Sequence, residues 1–374
     1  MLSPLSQKDY LSAEVLALER ERLFGRLWIF AALRQLLEKP DSFATRTIGG
    51  VPVVLQNCGG VIKAFENQCL HRQMPLQWED YGRRPLVCRY HGWSYDADGA
   101  VRHIPGRDSL YRFPESEVAA MRLRQIAVAC VGNLIFVNLA ENPIPIGEQF
   151  SEPLLARLEA ASNAFDGEVM HTRVSAKYNW KLSFENVMDG NHVRYLHTGT
   201  FLPHMPPQFH GPGEEDPGAC IAQETESQRH ELRDVSFEFK VRFKVTDQSW
   251  HRRVARFGQD DAYYNFFLYP NVNFISVAGR IFLIQQFDPV SPALTEIGLS
   301  LMTATKVKRI PASAALLWAH FCAEKEVLDE DIRALEELQS RLYENGRRAS
   351  HGAYESHLMK NRAVYRRLMG MGSA

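Results

Sequence analysis

The feature that most restricts this chain is a pair of short segments, Cys69-Leu70-His71 and Cys88-Arg89-Tyr90-His91, separated by sixteen residues. Two thiols and two imidazoles carried on two loops form a metal-ligand set, and the fold must bring those loops together. A structural zinc finger usually orders its ligands Cys, Cys, His, His, whereas here each segment supplies one of each. That order suits a cluster with two chemically different irons, thiolates on one and neutral imidazoles on the other. A zinc site built from the same four residues is the alternative on sequence alone.

The surrounding pattern is that of a small antiparallel β-domain. From Phe43 to Leu139 short alternating runs rich in Val, Ile and Phe are punctuated at Gly49-Gly50, Asn57-Cys58-Gly59-Gly60 and Asp96-Ala97-Asp98-Gly99. Ile126 to Leu139 reads as a hairpin broken at Gly132-Asn133. Residues 10–38 carry helical periodicity through Val15, Leu16, Leu18, Leu23, Leu27 and Trp28. After a Pro-containing linker at 141–147, a helix is expected over Glu152 to Phe165 and a strand over Val169 to Tyr178. Further strands are expected at Ser236–Val245, Tyr263–Tyr269, Val272–Val277, Ile281–Phe287 and Ile297–Thr305. The stretch 203–217 reads as a loop, and a long amphipathic helix follows Pro311 to about Tyr343.

Charge narrows the partners. With 43 basic and 44 acidic residues the net charge is -1, which offers no electrostatic reason for a nucleic-acid or anionic-membrane partner. The start Met-Leu-Ser-Pro-Leu-Ser lacks a signal-peptide layout, and no apolar run approaches the ~20 residues that span a bilayer. Six scattered cysteines point to metal ligands rather than disulfides, so a cytoplasmic location is expected.

A second constellation lies downstream. Leu182, Glu185, Asp189, His192 and Leu196 recur at spacings of three or four and would share one helix face. His197 follows His192 by five residues, so a straight helix would turn the two about 140° apart. Both reach one ion only where the helix bends or ends, and Gly199 makes an end reasonable. An oxygen-activating iron takes two His and a carboxylate. In the late helix Leu328, Asp331, Leu335, Leu338 and Leu342 form a 3-4-3-4 seam, placing Asp331 on the buried stripe. Asp329 and Glu330 group instead with the solvated face.

Asn67-Gln68-Cys69-Leu70-His71-Arg72 and Cys88-Arg89-Tyr90-His91-Gly92-Trp93, closed by Tyr95-Asp96-Ala97-Asp98-Gly99, resemble the Rieske-type ring-hydroxylating oxygenase α-subunits. Gln73 stands where that family usually has Gly, and Arg89 where Pro is common; neither departure removes a ligand. The resemblance implies an α+β chain, an antiparallel β Rieske domain followed by a helix-grip (Bet v 1-like) catalytic domain. Three regions are expected: a helical segment at 1–39 packing on the catalytic domain, the Rieske domain at 40–150 and the catalytic domain at 151–374. It also implies a 2Fe-2S cluster on Cys69, His71, Cys88 and His91, and a mononuclear Fe(II) on His192, His197 and Asp331. Asp189 resembles the carboxylate that bridges the two centres between neighbouring chains of a head-to-tail homotrimer.

No dinucleotide fingerprint and no ferredoxin cysteine signature occurs, so electrons are expected from a separate NAD(P)H-dependent reductase, with or without a ferredoxin. The expected activity is O2-dependent hydroxylation of a small organic, modally aromatic, substrate. Phe201, Phe237, Phe266 and Phe282 are candidates for pocket wall or core. A bare electron carrier and a zinc-stabilised binding protein are the competing classes; the second His/Asp set argues against the first.

Overall fold

The computed structural model describes residues 5–205, 231–242, 245–259, 261–344, 346–347, 349–350, 352 and 355–371. The chain divides into two compact units, Arg20–Ile146 and the remainder, which joins the residues up to Glu19 to those from Gly147 onward.

Within Arg20–Ile146 the strands are β1 (Ile29–Leu33), β2 (Ser42–Ile48), β3 (Val51–Cys58), β4 (Val61–Glu66), β5 (Tyr81–Arg83), β6 (Ser94–Tyr95), β7 (Val101–His103), β8 (Gln125–Val131) and β9 (Leu134–Asn138). Seven of them form an antiparallel sheet in the order β1-β9-β8-β4-β3-β2-β5, and β6 pairs with β7. The β8–β9 hairpin turns on Gly132-Asn133, with Val131 opposite Leu134 and Gly132 at φ +56°. Here the expected hairpin is present. The helical periodicity of residues 10–38 holds only as far as Phe24, through short turns ending in Arg20–Phe24. Ile29-Phe30-Ala31-Ala32-Leu33 is instead strand β1, paired with β9 and buried at every position. A continuous apolar run of that length has no polar face to keep outside, so it suits a strand covered on both sides. The region expected at 1–39 is therefore split between the two units at Glu19/Arg20, and the next division falls at Ile146/Gly147.

The second unit is built on a six-stranded antiparallel sheet ordered β10-β15-β14-β13-β12-β11. Its strands are β10 (Phe165–Ala176), β11 (Phe237–Arg242), β12 (Ala262–Leu268), β13 (Val272–Val277), β14 (Ile281–Ser291) and β15 (Leu294–Ala304). Register and strand alternation put Phe239, Asn265 and Ile275 on one face, and Phe266 and Phe274 on the other. Helices span Glu152–Asn163, Trp180–Met188, Val193–Leu196, Ser313–Arg341 and Ser356–Leu368. Asn179 caps Trp180–Met188, its side-chain oxygen accepting the Lys181 N–H.

A buried polar network fixes that helix from both ends of the sequence. Glu19 accepts from Lys181 Nζ, Trp180 Nε1 and the Tyr365 hydroxyl. Glu185 accepts from the Arg362 guanidinium and from the Tyr10 hydroxyl. Each buried charge thus meets its counter-charge together with further hydrogen bonds, the condition under which burial is tolerated. In the long helix Leu328 and Leu335 are buried, but the seam then shifts: Leu338 is exposed and Gln339 takes the buried place, accepting the Asn179 N–H.

Among the described residues no helix is long and apolar enough to cross a membrane.

Candidate metal centres

The two Cys/His segments adopt one hydrogen-bond frame twice. Cys69 N–H donates to Met74 O and Gln73 N–H to Cys69 O; Cys88 N–H donates to Trp93 O and Gly92 N–H to Cys88 O. The fifth residue of each loop has positive φ, +57° for Gln73 and +72° for Gly92. Glycine is the residue that adopts this conformation without strain, and Gln73 adopts it nonetheless.

These loops sort the four side chains into two pairs. The His71 and His91 Nδ1 atoms lie 3.1 Å apart, and the ring of His71 stacks on Trp93 at 5.2 Å and 5°. Cys69 and Cys88 are buried in the core of the unit, their thiols within interaction distance of each other. Tyr95 Oη sits 3.1 Å from Cys69 Sγ and accepts the Leu70 N–H. Burial holds the His71 imidazole below its usual range, reinforced by His91, a shift towards the neutral ring that a metal binds. One tetrahedral zinc needs all four donors around a single point. Among the described residues the only group of three or more His, Cys, Asp or Glu that converges in this way is elsewhere. A thiol pair beside an imidazole pair fits a two-iron cluster with unlike irons.

The convergent group is His192, His197 and Asp331. The helix Trp180–Met188 stops before it, with Asp189 at φ −91° and ψ 94°, and a short helix resumes at Val193–Leu196. The helix face expected to run through Asp189 and His192 is thus interrupted, and the interruption lets both imidazoles turn to one place. His192 Nε2 and His197 Nε2 are 3.2 Å apart, and Asp331 Oδ1 lies 3.5 and 3.0 Å from them. Asp331 Oδ1 and His192 Nδ1 are buried without a hydrogen-bond partner. Two imidazole nitrogens and a carboxylate oxygen crowded together are costly unless a cation satisfies them, and this donor set fits an iron with open positions.

The neighbours tune this set. Burial lowers the His192 pKa. Burial also acts to lower that of His197, but Asp331 and Glu330 outweigh it and raise the value. Glu330 Oε2 lies 2.6 Å from His197 Nδ1 and accepts the Thr200 hydroxyl at 2.7 Å. Glu330 was expected on the solvated face with Asp329; its side chain is 30% exposed against 47% for Asp329, and it reaches His197. Adjacent to Asp331 on the helix, it is only about 100° around the axis, within reach for a long side chain. Asp189 Oδ2 approaches His192 Nδ1 to 4.0 Å, an ion-pair distance, while Oδ1 accepts the Asn191 N–H.

A cavity opens beside these residues, enclosing about 1040 Å³ including its mouth, room for a small organic molecule. Phe201 and Phe237 line it, whereas Phe266 and Phe282 are core. Glu324, also on its wall, is a residue that the sequence reading did not single out.

Residues 28–114 match the Rieske 2Fe-2S domain and residues 165–370 the catalytic domain of the ring-hydroxylating alpha subunits. The second match alone covers more than half of the chain, which belongs to the ring-hydroxylating α-subunit family. It is 31% identical over 199 residues to the glycine betaine monooxygenase oxygenase subunit of Pseudomonas aeruginosa, covering 52% of this chain and 44% of that protein. It is also 31% identical over 186 residues to the chlorobenzene dioxygenase subunit alpha of Cupriavidus sp., 47% and 40% of the two. The matches thus span less than half the length of these curated relatives. Among solved structures, a quaternary ammonium Rieske monooxygenase superposes with TM-score 0.77 at 18% identity, covering 98% of this chain and 95% of that one. Naphthalene 1,2-dioxygenase from Rhodococcus sp. gives 0.73 at 17%, covering 99% and 95%. At such identities the likeness establishes the fold.

Proposed function

We propose that this chain is the terminal oxygenase of a Rieske non-haem iron system, hydroxylating a small organic substrate with O2 and electrons from a separate reductase. The observation that carries the reading is the convergence of His192, His197 and Asp331 beside an aromatic-walled cavity. Cys69 and Cys88 would hold one iron of the cluster and His71 and His91 the other; His192, His197 and Asp331 would hold a single Fe(II). Bound there, the cluster stores single electrons and the lone iron activates O2.

The protein's own residues supply the setting. Glu330 engages His197 Nδ1, which fixes the ring and leaves Nε2 for the metal. Phe201, Phe237, Phe239 and Phe267 supply an apolar part of the cavity wall on which a carbon skeleton can rest. Asp189, near His192 Nδ1, is placed to accept that ring's N–H and, on its other side, a cluster imidazole of the next chain in a homotrimer, His91 or His71. A small β-subunit is not required, and the assembly would work in the cytoplasm. The relatives' named substrates include both glycine betaine and chlorobenzene, so the substrate class rests on this chain's own cavity.

The purified protein should hold about three irons per chain with acid-labile sulfide. Stoichiometric zinc without sulfide in anaerobically prepared protein would sink the reading. Asp189→Asn should keep the cluster spectrum, most of the iron and reduction by the reductase, yet lose nearly all turnover. Stopped-flow oxidation of the pre-reduced cluster by O2 checks the step; wild-type speed in the variant would remove Asp189 from the electron path.

A further inference from the structure

The cavity wall has one group that the oxygenase reading does not use. Glu324 lies on the long helix seven residues before Asp331, so the two share a face about 10 Å apart along the axis. Both border the same cavity. Glu324 is half-buried, and desolvation at the cavity wall pushes its carboxyl up to about 7, with no charged neighbour or hydrogen bond among the described residues offsetting it. Among the described residues lining the cavity there is no lysine or arginine.

The other polar groups there point to the same chemistry. Asn265 and Asn273, each more than nine-tenths buried, have side-chain oxygens without a hydrogen-bond partner. The Asn273 amide nitrogen is already committed to Gln285 Oε1, so the amide presents its acceptor end. On the same sheet face stand aromatic rings, Tyr263 against Phe201 at 5.3 Å and Phe237 against Phe267 at 4.8 Å, with Phe239 also lining the cavity. Acceptors plus aromatic faces, with no lysine or arginine among the described lining residues, make a site for a positive charge beside the one the metal ligands would hold. A neutral arene would leave the carboxyl unmatched, and an anion would be repelled.

We propose that Glu324 is a specificity-determining residue that selects substrates bearing an ammonium group, held between its carboxylate and the aromatic wall while the carbon to be hydroxylated faces His192, His197 and Asp331. The proposal names the substrate class of the oxygenase and so rests on that reading. The alternative, a protonated Glu324 donating a hydrogen bond to a neutral substrate, differs in one respect: glutamine could replace it.

The test uses the full chain with its metals, held anaerobic, and calorimetric titration with choline and its uncharged carbon isostere 3,3-dimethylbutan-1-ol. Wild type should bind choline at least about thirtyfold more tightly than the isostere, and Glu324→Gln should cut that preference at least about fivefold, leaving the share that the ring faces supply. Phe239→Leu, which keeps an apolar wall but removes a ring face, should weaken choline about threefold and leave the isostere unchanged. Equal binding of the pair by wild type, a choline preference left undiminished by Glu324→Gln, or no choline binding up to about 10 mM overturns the proposal. Iron and sulfide are assayed in the same samples. A fully loaded protein without charge preference defeats the role of Glu324 alone; a choline-selective protein without iron and sulfide defeats the oxygenase reading and leaves Glu324 standing.

Discussion

The two candidate centres are built in opposite ways. Twenty residues separate His71 from His91, and both loops close on the same local backbone frame within one core. By contrast, 133 residues separate His197 from Glu330, and nothing local brings them together. The first centre is a property of two turns; the second is a property of how a broken helix and a late helix pack. Loss of a ligand should therefore have different reach in the two units, and the following experiments press on that contrast.

Cys88→Ser should have the largest effect. Cys88 is in the buried core of its unit as well as in the ligand set, so the variant should lose the cluster absorption, two of about three irons and thermal stability. Asp331→Ala should instead keep the cluster spectrum and lose only the mononuclear iron. If Asp331→Ala bleaches the cluster as well, the centres are not independent. Glu330→Gln should act more mildly, weakening iron retention against a chelator about tenfold, while Asp329→Asn leaves it unchanged. Equal effects of the two would mean that the contact between Glu330 and His197 does not position the ligand.

The smallest effect concerns the loop frame itself. Gln73→Gly should raise the stability of the metal-loaded protein by about 0.5–1 kcal/mol, because glycine adopts the Gln73 φ of +57° at little cost. Gly92→Ala should lower it by more, since its φ is +72° and a new Cβ would meet Pro105 Cγ at 3.0 Å. Chemical denaturation measures both; a destabilised Gln73→Gly would show that the glutamine side chain contributes more than its backbone costs.

The same contrast explains what could be read from residues alone. The Cys/His loops and the β8–β9 hairpin were legible because ligand spacing and turn chemistry are local signals. Asp331 was legible from its helix face, through Leu328 and Leu335. Glu330 was missed because a face assignment ignores how far a long side chain can reach sideways. The strand nature of Ile29–Leu33 was missed because a short, wholly apolar run carries no period to distinguish strand from helix. Glu324 was invisible for a third reason. A single Glu in a charged helix acquires meaning only when the sheet face opposite it is known.

The buried network around the helix Trp180–Met188 sets an order of events during synthesis. Tyr10 and Glu19 emerge from the ribosome well before their partners: Arg362 follows Tyr10 by 352 residues and Tyr365 follows Glu19 by 346. Until then Glu19 lacks the Tyr365 hydroxyl and Glu185 lacks the Arg362 guanidinium, and the helix leading to His192 is held less firmly. The unit Arg20–Ile146 can fold and collect metal while translation continues, so the Cys/His centre should mature first and the centre of His192, His197 and Asp331 last. A nascent chain stalled before Arg362 would then carry the first centre without the second.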